Sequence, residues 1–157
     1  MKRLVTLLLV LSMVAGAAFA TGQMEDDTME LKLGHIRDTE HPTHQGALRF
    51  AELVEEGTDG RITVTVFPNS QLGGIQEMFA QVSSGDLEMV YGGINTFGFI
   101  EGGDAFEITA IPFLYRDYEH MLSALKADFF QPVFDDAEER TGIKVMNIGG
   151  DTAPRGL

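Results

Sequence analysis

Three of the chain's four histidines fall within ten residues, in the stretch HIRDTEHPTH from His35 to His44, together with Arg37, Asp38 and Glu40. Imidazole and carboxylate groups at such spacing are the donor set of a zinc site or the partners of an acid/base pair. His41 and His44 stand three apart, as residues on one helix face do, and His35 ends an apolar run ahead of them, so a three-histidine metal site is one reading. Against it stand the missing HExxH spacing, the absence of cysteine from the chain, and Pro42, which starts a helix between two of the three ligands. A His-Asp pair working with Ser or Thr would need a nucleophile elbow or an oxyanion loop, and the sequence holds neither. The third reading is a loop at the mouth of a ligand cleft, with His35 and Arg37 as the contact candidates and His41-Pro42 as the helix entry.

Composition narrows the choice. The first twenty residues have the form of an export signal: Lys2 and Arg3, an apolar core from Leu4 to Val14, and the small-x-small run Ala18-Phe19-Ala20. The apolar core is too short for a stable membrane span, so the expectation is cleavage near Ala20 and a soluble exported protein with no membrane insertion afterwards. Residues 21 to 29 are polar and acidic and read as a disordered leader. The formal net charge is −13, more negative by two once Lys2 and Arg3 are lost. That balance argues against nucleic acid and anionic lipid as partners, but a local arginine can still outweigh a distant field and hold a small anion. With zero cysteines, disulfides, thiolate metal sites and thiol catalysis are excluded.

The elements that must position these groups follow from periodicity. Apolar residues alternate through MELKLGHI, residues 29 to 36, which predicts a strand. Ala47, Phe50, Ala51 and Val54 recur at helical spacing after Pro42, and the helix should stop at GTDG, residues 57 to 60. ITVTVF, residues 62 to 67, is a second β-branched strand ended by Pro68-Asn69. The stripe Ile75, Met78, Phe79 and Val82 predicts a second helix, closed by SSGD, and Leu87 to Tyr91 predicts a third strand. Residues 94 to 106 are irregular and Gly-rich. Asp117 should cap a helix carrying Met121, Leu122 and Leu125, a further helix should run from about Phe129 to Arg140, and IKVMNI, residues 143 to 148, should form a late strand. Alternation of this kind predicts an α/β fold with a mostly parallel sheet flanked by helices. In such sheets ligands sit beyond the carboxyl ends of the strands, which is where HIRDTEHPTH, GGINTF and GGDTAPR all fall. Phe97, Phe99, Phe106, Phe113 and Tyr115 read as core rather than as a stacking platform, and Glu101 and Asp104 as solvated carboxylates rather than calcium ligands.

Several spaced segments together carry a resemblance: LKLGHI, then HP, GALRFAELVEE, GRI, VFPNSQLGG, GDLEM and IPFLYRDYEHM. In that order they resemble the substrate-binding subunits of tripartite ATP-independent periplasmic (TRAP) transporters, the DctP-like family, from about Glu30 to Arg155. The resemblance implies a two-lobed periplasmic-binding-protein-like clamp that closes on an organic acid, pairs its carboxylate with an arginine, and hands it to the small and large membrane subunits of a TRAP-type permease. It implies a binding protein rather than an enzyme, and no cofactor. Residues 30 to 149 would then be the first lobe and 150 to 157 the start of the crossing into a second lobe missing here, along with the arginine of the family's Lys-x-Arg-x-Pro-like strand. Arg155 matches an upstream arginine of the same cleft. Gly93, Asn95 and Thr96 follow the third strand, where the family brings backbone and polar side chains to the ligand. Gly74 and Ile75 stand where some relatives carry an acidic contact, which argues against a polyhydroxylated sugar acid. The expected ligand-binding set is Arg155, Asn95, Thr96, Gly93, His35 and Arg37. The alternatives are a metal-dependent enzyme lobe built on the 35 to 44 histidines, or the binding lobe of an ATP-driven importer or sensory receptor.

Overall fold

The computed structural model describes residues 28–146. The expected export signal, the leader up to residue 27, residues 147 and 148 of the expected late strand, and Arg155 lie outside them.

Strand β1 (Met29–Gly34) is followed by helix α1 (Pro42–Gly57), β2 (Ile62–Phe67), α2 (Ile75–Ser84) and β3 (Met89–Val90). The three strands form a parallel sheet in the order β2-β1-β3. Register runs from Met29 opposite Ile62 to Gly34 opposite Phe67, and on the other side Leu33 pairs with Met89 and Gly34 with Val90. The β1-α1-β2 and β2-α2-β3 crossovers run in opposite directions across the sheet, and right-handed connections then place the two helices on opposite faces. A Cβ on Gly34 would meet Met78 of α2 and Leu72, which puts α2 on the Gly34 face, but α2 reaches only the β3 side of that face. Along β1 and β2 that face is left to polar groups, where the Thr65 hydroxyl donates to Glu30 at 2.8 Å.

Beyond β3 the chain makes the short helix α3 (Ile94–Phe97), a 3-10 segment (Asp104–Ala110), α4 (Tyr118–Leu125), a 3-10 turn (Asp128–Phe130) and α5 (Gln131–Thr141). The buried cluster of Phe79, Phe97, Phe106, Leu125, Phe130, Ala137 and Ile143 holds these pieces on α2. The Asp117 carboxylate caps α4 by accepting the His120 N–H at 2.7 Å, as expected of that residue. Gly142 ends α5 in the left-handed region, φ +71°, a conformation that costs a residue with a Cβ about 1–2 kcal/mol.

Three expectations change. The third strand is confined to Met89–Val90, because only those residues face partners on β1. Residues 143–146 form no strand: their backbone has no ladder partner among the described residues. The aromatic series also divides. Phe97 and Phe106 are core, whereas Phe99 and Phe113 are exposed at 57 % and 72 %.

Candidate functional site

The carboxyl ends of all three strands meet through backbone hydrogen bonds. The Tyr91 N–H donates to the Gly34 carbonyl at 2.9 Å, tying the exit of β3 to that of β1. From the exit of β2, the Ser70 N–H donates to His35 O at 3.2 Å and the Asn69 N–H to Arg37 O at 2.8 Å. Both donors sit in the left-handed region, Asn69 at φ 55° and Ser70 at φ 57°. Asparagine tolerates that region and serine seldom enters it. The bonds they make to the 35–37 backbone are the return on that strain.

The histidine-rich stretch resolves into distinct roles. His41 is the N-cap of α1, its Nδ1 accepting the Thr43 N–H at 3.1 Å, with Pro42 in the first turn. His35 is 0 % exposed and His44 9 %, and His35 Nε2 lies 3.1 Å from His44 Nδ1. The Arg37 N–H donates to His35 Nδ1 at 3.2 Å. An imidazole nitrogen that accepts a hydrogen bond carries no proton. His35 Nδ1 is therefore bare, its proton sits on Nε2 and is donated to His44 Nδ1, and the His44 proton sits on its own Nε2. His35 spends both nitrogens inside the protein and turns none to solvent. Burial, reinforced by the neighbouring His44 and His41, pushes the His35 pKa below the ordinary imidazole value, against a smaller opposing effect of the Arg37 backbone.

Arg37 is half-buried, with its backbone held on both sides by His35 Nδ1 and Asn69 N. Gly93 is the N-cap of α3, and the Thr96 hydroxyl bonds back to Gly93 O at 2.5 Å, leaving its lone pairs as acceptors. Gly93, Asn95 and Thr96 are half-buried at the same end of the sheet as Arg37. A Cβ at Gly92 would meet Ile75 Cδ1 at 2.9 Å and Thr96 Oγ1 at 3.3 Å, so the β3 exit packs closely on α2 and a larger residue there would require Ile75 to shift. No three His, Asp or Glu side chains are placed to hold a metal ion among the described residues, and Asp104, weighed as a calcium ligand, pairs with Arg140 at 3.1 Å.

The sequence reading missed the burial of His44. Extending the α1 stripe of Ala47, Phe50, Ala51 and Val54 back by one turn leads to Thr43 and His44, both buried with Ala47. Thr43 is 3 % exposed and its hydroxyl has no hydrogen-bond partner among the described residues. Thr43→Val keeps the shape and removes an unsatisfied polar group, so it is expected to stabilise the chain by about 1 kcal/mol. Thermal unfolding reads this as a rise of a few degrees, and a fall would show that the hydroxyl has a partner.

Residues 33–154 match the family described as bacterial extracellular solute-binding protein, family 7, or DctP. The chain belongs to the DctP family. It is 34% identical over 121 residues to the C4-dicarboxylate-binding periplasmic protein DctP of Rhodobacter capsulatus, covering 76% of this chain and 36% of that protein. It is 31% identical over 137 residues to the 2,3-diketo-L-gulonate-binding periplasmic protein YiaO of Escherichia coli, covering 85% and 39%. The crystal structure of a TRAP periplasmic solute binding protein from Roseobacter denitrificans with bound L-galactonate superposes with a TM-score of 0.65 at 27% identity, covering 73% of this chain and 37% of that one. The chain thus spans about two fifths of the length of the proteins it matches. The DctP match includes His35, Arg37, Gly93, Asn95 and Thr96 and ends one residue before Arg155.

Proposed function

We propose that the chain is the first-lobe part of a periplasmic solute-binding protein that captures a small organic acid and delivers it to the two membrane subunits of a TRAP-type transporter. The DctP match over residues 33–154 is the observation that carries this reading. The names of the relatives support an anionic ligand, since one binds C4-dicarboxylates and another a keto sugar acid. They also support a periplasmic location, in keeping with the export signal read in residues 1 to 20. The contact set is Arg37, Gly93, Asn95 and Thr96, with Arg155 supplying the guanidinium fork that a carboxylate accepts in two hydrogen bonds. His35 joins them as a support for Arg37. The sheet ends supply one wall only, and a wall cannot desolvate a carboxylate as a closed cleft does.

The test is a calorimetric titration of this chain completed by the C-terminal remainder of the Rhodobacter relative, against a panel of dicarboxylates and sugar acids. Micromolar or tighter binding of at least one acid is expected, weakened about thirtyfold or more in Arg155→Ala, because removing one partner of a buried charge pair costs about 2–5 kcal/mol. Binding of a neutral solute that Arg155→Ala leaves intact would overturn the carboxylate assignment.

A further inference from the structure

The cleft mouth contains a hydrogen-bonded relay that no ligand contact explains. It runs from His44 Nδ1 on α1 to the His35 ring, from His35 Nδ1 to the Arg37 N–H, and from Arg37 O to the Asn69 N–H after β2. Each link has a fixed donor and a fixed acceptor, and the relay joins α1, the 35–41 connection and the β2 exit. We infer that His44 is a positioning residue which, through the His35 ring, holds Arg37 and the cleft mouth in place while both imidazoles are neutral, and releases them when the pair takes up a proton.

The geometry makes the relay intolerant of protons. His35 already carries its proton on Nε2, so a second must go to Nδ1, where it would face the Arg37 N–H. A proton added to His44 must go to its Nδ1, where it would face the His35 N–H. Either event sets two donors against each other at the fully buried His35 ring, and an unsatisfied buried donor is not tolerated cheaply. The ionisable groups on the surrounding elements do not offset this. Asp38 takes the Glu40 N–H at 2.9 Å, Glu77 of α2 takes the Gly74 N–H at 2.7 Å, and Glu88 beside β3 takes the Lys32 N–H at 2.8 Å. Arg37 and His41 on the connection and Tyr91 at the end of β3 complete the set. The side-chain charges acting on His35 are those of His44 and His41, both opposing its protonation, and no carboxylate is among them.

The sign follows from the lowered His35 pKa. The unfolded chain takes up this proton at the ordinary value of about 6.5, and the folded chain only at lower pH. The stabilising effect is therefore complete above about 6.5 and is lost as pH falls toward the folded value, by at most about tenfold in the folding equilibrium per pH unit for one group.

The inference rests on the cleft reading for the meaning of Arg37, but its test uses the full chain without any ligand, so the two fail separately. Amide hydrogen exchange at Arg37, Asn69 and Ser70, corrected for intrinsic rates, is compared at pH 7.5 and pH 5 alongside chemical denaturation. In the wild type, protection of these amides is expected to fall roughly tenfold more than protection of the β1–β2 ladder amides at Leu31 and Thr65, which the parallel register sets between the two strands. His44→Phe, which keeps an aromatic ring but no acceptor, should already show low Arg37 protection at pH 7.5, and His44→Gln, whose amide oxygen can accept from His35, should restore it. Nitrogen-15 spectra of the wild-type imidazoles at pH 7.5 should show the Nε2–H form for both His35 and His44. Opposite tautomers, a cleft mouth whose protection is the same at both pH values, or His44→Phe matching the wild type at Arg37 would each overturn the assignment.

Discussion

Phe106→Ala is expected to cost about 3–5 kcal/mol, the range for deleting a buried phenylalanine ring, which is a large share of the roughly 5–15 kcal/mol that stabilises a domain. Phe106 is 0 % exposed. Its ring meets Phe97 edge-on at 5.2 Å between centroids, Phe134 at 5.1 Å and Phe130 at 6.3 Å. It therefore ties α3 to the 3-10 turn before α5 and to α5 itself, whose Phe130 and Phe134 rings also meet each other at 5.5 Å. The surrounding rings are thus held by one another, which limits their collapse into a cavity at this point. Urea denaturation of wild type and variant measures the loss, and Phe113→Ala is the control. Phe113 is 72 % exposed and should change stability by no more than about 0.5 kcal/mol. Equal effects from the two substitutions would show that the core is not centred on Phe106.

That contrast marks the boundary of what the sequence reveals. From Met29 to Ser84 each element buries one regular stripe, so alternation gives β1 and β2 and the 3.6-residue period gives α1 and α2, with β2 at Ile62–Phe67 as expected. After β3 the apolar residues follow no single period, because the core is assembled from 3-10 turns and helices of four to eleven residues. Nothing in the spacing of Phe99, Phe106 and Phe113 says that only Phe106 turns inward. The expected late strand falls partly outside the described residues, and its residues 143–146 have no ladder partner among them. IKVM has the composition of a strand, but strand pairing is a property of two segments, which the composition of one does not report.

The position of the 35–44 connection was legible and its detail was not. Topology alone places HIRDTEHPTH beyond the end of β1, and proline and its neighbouring histidine place the start of α1. The pairing of His35 with His44 depends on how far the connection folds back and on which face of the first turn of α1 meets the sheet. Apolar periodicity does not report a buried histidine, because histidine counts as polar in any such pattern. A polar residue standing at a buried position of an apolar stripe is itself the clue, and Thr43 and His44 both stand there.

Gly103→Ala is expected to disrupt the segment from Phe97 to Ala110 more severely than its single added methyl group suggests. A Cβ at Gly103 would fall on the Phe97 carbonyl oxygen and lie 3.0 Å from the carbonyl carbon and 3.2 Å from Phe97 Cδ1. Two of these atoms are backbone and the third belongs to a core ring, so none is the mobile end of a side chain. The Phe97 carbonyl is further held by the Ile100 N–H at 3.3 Å, and Gly103 itself bonds to Ile100 O and to the Phe106 N–H. Relief of the clash must break this turn and withdraw Phe97 and Phe106 from the core together. The cost is expected at about 3 kcal/mol or more, beyond the range of 1–3 kcal/mol typical of side-chain overpacking, where neighbours can move. Gly85 supplies the comparison: no atom lies within 4 Å of a Cβ there, so Gly85→Ala carries only the left-handed backbone penalty of about 1–2 kcal/mol at φ +82°. Denaturation midpoints of the two variants, with near-ultraviolet circular dichroism as a probe of the phenylalanine cluster, separate the cases. A Gly103→Ala protein as stable as Gly85→Ala, with native aromatic signals, would show that the 97–103 turn can open without loss of the core.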